Sequence, residues 1–215
     1  MNFLFNLSGA NAPVIKEYDI PADTKVFAGE VVGLSDGKIV KANDADAVLG
    51  VCAEDHKGEK DELNARADGT KVRVIIAPDA VYSAKAPKYT SVAGSTATTL
   101  VTNSAGLSVS VKSGAAILVS KAENSANTDK IGTVRRISAV AVSGEKATVT
   151  LENGGVACEG DEYVLIPDIG SKLQLTEDGR GVCFYNSATD VQFVCVCYDE
   201  KTQCVGVKLS TTLLA

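Results

Sequence analysis

The chain of 215 residues contains no tryptophan, one methionine and one histidine, and only 5% of its residues are aromatic. Stacking on a sugar ring favours exposed aromatic faces. With no Trp, and with Tyr82, Tyr89, Tyr163, Tyr185 and Tyr198 dispersed, no stacking platform is written into the sequence. The lone His56 leaves no second imidazole for a histidine-based metal site. Apolar spacing at i, i+3, i+4, i+7 is nowhere sustained beyond about three turns, so a helical bundle is not expected. No apolar run is long enough to span a bilayer. The opening burst Phe3-Leu4-Phe5 is preceded by no cation, the first being Lys16, so no export signal and no membrane association are expected.

What is present is Val, Ala, Thr, Ser and Gly in abundance, a composition that packs as thin β-sandwiches or barrels. The formal net charge of -6 argues against nucleic acid, where affinity depends on cations meeting phosphates. Lys130, Arg135 and Arg136 form the only compact basic cluster, too small to change that.

Short alternating runs separated by glycine turns predict strands over Val14–Ile20, Glu30–Leu34, Lys38–Lys41, Val48–Ala53, Lys71–Ala77 and Ala80–Ser83. Others are predicted at Thr99–Val101, Leu107–Val111, Ala115–Ser120, Thr133–Val142, Ala147–Leu151, Tyr163–Ile166 and Val191–Tyr198. Asp36-Gly37 is the strongest hairpin signal. Much of this grammar occurs twice. Ala28–Leu34, Asp36-Gly37-Lys38, Val48–Cys52 and Val72–Ile76 are echoed by Glu159–Leu165, Asp178-Gly179-Arg180, Phe193–Cys197 and Val205–Leu209. A duplicated module and a shared all-β vocabulary both account for the echo. A polar stretch at 122–130 marks a domain boundary, giving an N-terminal arm (1–16), a first β-rich domain (17–121) and a second (122–215).

The residues that bear chemistry give little. Cys195 and Cys197, two apart on a strand, are expected on one face with Phe193 and Val191. No second cysteine pair or nearby histidine completes a metal site, so Cys52, Cys158, Cys183, Cys195, Cys197 and Cys204 are expected as reduced thiols that hold no metal. His56, within Glu54-Asp55-His56-Lys57-Gly58-Glu59, is expected on a solvated loop. Gly33–Lys38 lacks the spacing and following helix of a phosphate loop, and Asn43–Asp46 lacks the glycine and distal glutamate of a calcium hand. No cofactor is expected. Residues 1–16 read in two ways. Phe3, Leu4, Phe5 and Leu7 ahead of the hinge Ser8-Gly9-Ala10-Asn11-Ala12-Pro13 suit an extended arm that anchors on a partner, or a first strand tucked into its own core.

The order Ile20–Gly33 with its Ala28-Gly29-Glu30-Val31-Val32, then Asp36-Gly37-Lys38-Ile39-Val40, then Ala47–Asp55 and Lys71–Tyr82, resembles the capsid decoration (cement, or head auxiliary) proteins of tailed phages. The resemblance covers about residues 14–84, and its motifs are short. It implies a small β-barrel or β-tulip-like module carrying no catalytic residues. It also implies attachment to the outside of an assembled head, where the protein clamps neighbouring capsomers. The implied partners are the major capsid protein and further copies of the chain, a trimer being favoured. The location would be the virion surface, after assembly in the bacterial host cytoplasm. The fold expected is therefore all-β: a barrel-like module and a second β-rich domain behind an N-terminal arm, with Phe3, Leu4, Phe5 and Leu7 binding the partner. The rival readings are a bacterial surface or carbohydrate-binding β-sandwich and, behind it, a thiol hydrolase using Cys52 and His56.

Overall fold

The computed structural model describes residues 1–6, 13–43, 47–57, 70–77, 79–86, 88–103, 115–123, 125–153, 159–176, 181–184 and 191–210. Among the described residues the chain is all-β. Among them the strands are joined by turns and by a 3-10 turn at Ser125–Lys130, and no α-helix occurs.

The first strand, β1 (Asn2–Asn6), is set apart from those that follow it. β2 (Ile15–Asp19), β3 (Val31–Ser35), β4 (Lys38–Lys41), β5 (Gly50–Cys52) and β6 (Lys71–Ile75) form an antiparallel sheet in the order β2-β6-β5-β3-β4. Its hairpin turns through Asp36 (φ 50) and Gly37 (φ 76), both in the left-handed region that a tight primed turn demands. β5, the near-continuous apolar run, is central, as its pattern predicts. The outer strands β2 and β4 approach each other, curling the sheet into a half-barrel. Ile20, Val26, Val32, Ile39, Leu49, Cys52, Val72, Val74 and Ile76 form a core of their own there.

The chain then lays down β7 (Ala80–Lys85) and leaves. It builds a second sheet from β8 (Lys88–Thr90), β9 (Thr99–Thr102), β10 (Ala116–Lys121), β11 (Val134–Ser143), β12 (Lys146–Leu151) and β13 (Glu162–Ile166), in the order β8-β13-β10-β11-β12-β9. It returns with β14 (Lys172–Leu175), β15 (Val182–Phe184), β16 (Phe193–Asp199) and β17 (Cys204–Leu209) to complete a sheet ordered β1-β7-β17-β16-β14-β15.

If β1 is set aside, β7, β14, β15, β16 and β17 repeat the arrangement of β2 to β6. In both units the spatial order is first, fifth, fourth, second, third strand, with every pair antiparallel. The molecule is two five-stranded units of one topology. The six-stranded sheet is inserted, as one continuous stretch, between the first and second strands of the second unit. Two of the four segments echoed in the sequence occupy matching places, Val48–Cys52 with Phe193–Cys197 and Val72–Ile76 with Val205–Leu209, while Asp178-Gly179-Arg180 lies outside the described residues. The remaining segment does not match. Glu159–Leu165 runs into β13 of the inserted sheet, and the strand in the place of β3 is β14.

This arrangement corrects the division at 121/122. β7, β8 and β9, assigned to the first domain, pair with β17, β13 and β12 from the second. The polar stretch at 122–130 only connects β10 to its sheet neighbour β11. One large core, with Val31, Val51, Ile75, Tyr82, Ile117, Tyr163, Leu165, Leu173, Phe193 and Val207 among its members, draws side chains from all three sheets. The strand predicted at Leu107–Val111 lies outside the described residues.

Candidate functional site

Residues 2–6 are rich in side chains that favour extended backbone. They form β1, which pairs antiparallel with β7: Asn2 opposite Ser83, Phe3 opposite Tyr82, Phe5 opposite Val81 and Asn6 opposite Ala80. A β-bulge at Leu4 interrupts the register. The expectation of a free arm over 1–16 is corrected for this part. The outer edge of β7 offers a row of unpaired amides and carbonyls, and β1 satisfies them. Leu7 lies outside the described residues. Phe3, Leu4 and Phe5 therefore sit on the terminal strand of a sheet, with their backbone held on one side only among the described residues.

The N-terminus ties this strand to the first unit. The Met1 ammonium donates to the Gly29 carbonyl, and Met1 itself packs against the large core. Gly29 has φ +86, and a Cβ there would collide with the Met1 carbonyl oxygen, so only glycine admits this approach. Burial lowers the pKa of the ammonium, and the Glu30 carboxylate works against that. The surrounding loop is set by its acids. Glu30 Oε2 accepts from Phe27 N at 3.0 Å, Asp55 Oδ1 accepts from Ala28 N at 2.8 Å, and Glu30 Oε1 pairs with Lys41 at 2.8 Å. Arg73 grips Glu54 Oε2 through Nε at 2.8 Å and Nη2 at 2.7 Å.

His56, expected in solvent, is only 2% exposed. Its Nδ1 donates to the Thr24 carbonyl at 2.7 Å, and its backbone exchanges hydrogen bonds with Val26 at 2.8 and 2.9 Å. It ties the segment after β5 to residues 24–26. Cys52 is buried, its Sγ donates to the Glu54 carbonyl at 3.0 Å, and burial raises its pKa. A thiol held in this way, away from the thiolate form, is the opposite of an activated nucleophile.

Cys195 and Cys197 do not share one face as their spacing suggests. A β-bulge at Val196 places Cys195 opposite Val207 and Cys197 opposite Gly206. Cys195 is buried, and burial pushes its thiol up to about 12. Cys197 is half-buried, with its Sγ over the Gly206 Cα. Cys52, Cys195, Cys197 and Cys204 are all free thiols. Among the described residues no group of three or more His, Cys, Asp and Glu is placed to hold a metal. The side chains of Cys158 and Cys183 lie outside what the structure describes.

One feature went unread in the sequence. A cavity of about 590 Å³ opens where the second unit meets the inserted sheet. Its lining includes Lys85, Lys88, Thr176, Thr202 and Cys204, with Val164 and Val182 also in its wall. The only signal was the pair Lys85 and Lys88 around a strand end, which is indistinguishable from two solvated lysines. The tyrosines fall as their dispersal implies: Tyr82 and Tyr163 are in the core, and Tyr18, Tyr89 and Tyr198 are half-buried.

Comparison with known protein families, with curated proteins and with solved structures returned no match.

Proposed function

We propose that this chain is a non-enzymatic auxiliary protein of a tailed-phage head. In this reading it binds the outside of the assembled shell and stabilises the contacts between capsomers. The observation that carries the reading is the first five-stranded unit. Most of the segment that resembles decoration proteins, from β2 to β6, forms a half-barrel with a core of its own, and its end runs into β7 of the neighbouring sheet. Further support comes from the terminal strand, which sets Phe3, Leu4 and Phe5 at the rim of the neighbouring sheet. The partners proposed are the major capsid protein and other copies of the chain, as a trimer, on the virion surface.

The mechanism is mass action. A protein that binds the closed shell but not its separated subunits stabilises the shell in proportion to that difference in affinity. Each apolar side chain buried from β1 would contribute on the order of 1.5–3 kcal/mol before ordering costs. Many copies on one particle add through effective concentration. A carbohydrate-binding module is less well supported, because none of the described tyrosines is exposed as a stacking platform.

The test is co-sedimentation with mature heads of the phage or prophage whose genome carries this sequence, with free capsid protein as the control. Enrichment with heads and not with free subunits is expected, along with heads that withstand a higher temperature. Equal recovery with both, or with neither, overturns the reading.

A further inference from the structure

We propose that β1 is an exchangeable strand, and that in concentrated or assembled protein it pairs with β7 of another copy of this chain instead of its own. The repeat within the molecule is the first reason. β7 and β14 to β17 complete the same five-strand order as β2 to β6, and β1 is the one strand added outside it. In the first unit the corresponding outer strand, β2, is approached by β4 as the half-barrel curls, so that edge is covered from within. In the second unit the edge is covered by a segment from the far end of the chain.

The connection is the second reason. Asn6 lies opposite Ala80, and the Val14 carbonyl accepts from Ile76 N at 3.0 Å. Residues 7–14 therefore bridge points that flank the short run 76–80. That connection is longer than the gap asks, so β1 can leave β7 while β2 stays in its own sheet. The third reason is chemical. Natural edge strands carry charge to refuse foreign strands. β2 carries Lys16, Glu17 and Asp19, and β4 carries Lys38 and Lys41, whereas residues 1–15 contain no charged side chain. An exchanged β1 makes the same contacts it makes at home: the β7 ladder in one unit and the Met1–Gly29 bond in the other. The closed and exchanged forms then differ mainly in the connecting segment and in the entropy of association, which is what makes strand exchange an inexpensive route to oligomers. Among the described residues no strand pairs with the outer edge of β1, and the proposal does not depend on a capsid.

The experiment uses the full chain. Asn2→Cys and Ser83→Cys face each other across the β1–β7 ladder, within reach of a disulfide. Protein labelled with nitrogen-15 and unlabelled protein are mixed in equal amounts, unfolded together, refolded at high concentration and oxidised. The bridged peptides are then identified by mass. Exchange predicts that about half of the 2–83 bridges join a labelled to an unlabelled peptide, the random share for pairs of copies. Bridges that are all of one isotope overturn the proposal. A second measurement protects against a bridge that forms poorly. In the wild-type chain, light-scattering mass is expected to rise with concentration, and deletion of Met1–Asn6 is expected to return it to that of a monomer. A wild-type mass that stays monomeric, or an oligomer unchanged by the deletion, also overturns it.

Discussion

In the first five-stranded unit the half-barrel closes around Ile39, Leu49 and Val74, while Val31, Val51 and Ile75 of the same unit join the common core. In the second unit Tyr82, Leu173, Phe193 and Val207 all belong to the common core, which they share with Ile117, Tyr163 and Leu165 of the inserted sheet. One strand order thus supports two kinds of folding unit. The first owns part of its hydrophobic interior. The second borrows its interior from the sheet inserted into it. The insertion is tolerated because the inserted sheet supplies the apolar face against which the interrupted unit packs.

The sharpest way to break that comparison is to open a cavity in each unit. Phe193→Ala is expected to cost about 3–5 kcal/mol and Leu49→Ala about 2–4 kcal/mol, both measured by denaturant unfolding. The distribution matters more than the size. By hydrogen exchange, Leu49→Ala is expected to raise amide exchange mainly in β2 to β6. Phe193→Ala is expected to raise it in the second unit and the inserted sheet together. A uniform rise in both variants would mean that the half-barrel has no independence.

Next in size are two glycines that bring strands close in opposite ways. A Cβ at Gly50 would collide with the Ile75 backbone carbonyl, and one at Gly206 would collide with the Cys197 sulfur. Backbone cannot yield cheaply, whereas a side chain can be trimmed. Gly50→Ala is expected to cost about 3 kcal/mol and Gly206→Ala about 1–2 kcal/mol, by thermal or denaturant unfolding. The paired change Gly206→Ala with Cys197→Ala is expected to recover most of the second loss. No such recovery would show that the bulge at Val196, not the sulfur, sets the spacing.

A smaller effect tests the repeat itself. Gly37 needs its positive φ, so Gly37→Ala is expected to cost about 1 kcal/mol. Gly179 holds the equivalent place in the chain between β14 and β15, among residues the structure does not describe. If the second hairpin copies the first, Gly179→Ala costs the same within a few tenths of a kcal/mol in the same unfolding assay. A neutral Gly179→Ala would leave the strand order shared and the turn not.

These comparisons also mark how far the sequence is legible. Alternation matches the buried faces of β6, β9 and β12, and Asp36-Gly37 named its hairpin, because both signals are local. β14 and β15 were missed. Each is only three or four residues long, and β14 buries Leu173, Gln174 and Leu175 in succession, so no alternation remains to see. The Cys195 and Cys197 faces were misread because a bulge shifts parity without any mark in the residue types. His56 reads as surface until the Thr24 carbonyl is placed beside it. At the candidate site, Phe3-Leu4-Phe5 was visible as an apolar burst, but its pairing with β7 was not. A hydrophobic pattern says which side of a strand is buried and is silent about which strand lies next to it. The same silence hid the β7–β17 pair, which joins residues 80–85 to 204–209 across the whole insertion.

The smallest expected effect compares the connections between the fourth and fifth strands of the two units. In the first, Glu54 follows β5, and the Arg73 side chain holds its carboxyl below the usual glutamate range, with burial opposing and the Arg73 backbone amide assisting. In the second, Asp199 ends β16 and is held low first by the Thr202 hydroxyl, at 2.7 Å, and then by the Lys201 amide. Both folded pKa values lie below their unfolded ones. Each carboxylate therefore adds stability that is fully present above the ordinary carboxylate range, near pH 4, and is lost as pH falls through the lowered value. Glu54→Gln and Asp199→Ala should each lower the melting temperature at pH 7, by differences that shrink as the solution is acidified below about pH 4. Salt separates them. The Glu54 partner is a solvent-exposed cation, so its contribution is screened and should fade in about 1 M salt, where the Debye length is about 3 Å. The chief partner of Asp199 is a neutral hydroxyl, so its difference should persist in the same salt. Melting curves at two pH values and two salt concentrations decide the matter. A Glu54→Gln difference that survives high salt would mean that this loop, like its counterpart, is held by hydrogen-bond geometry rather than by charge.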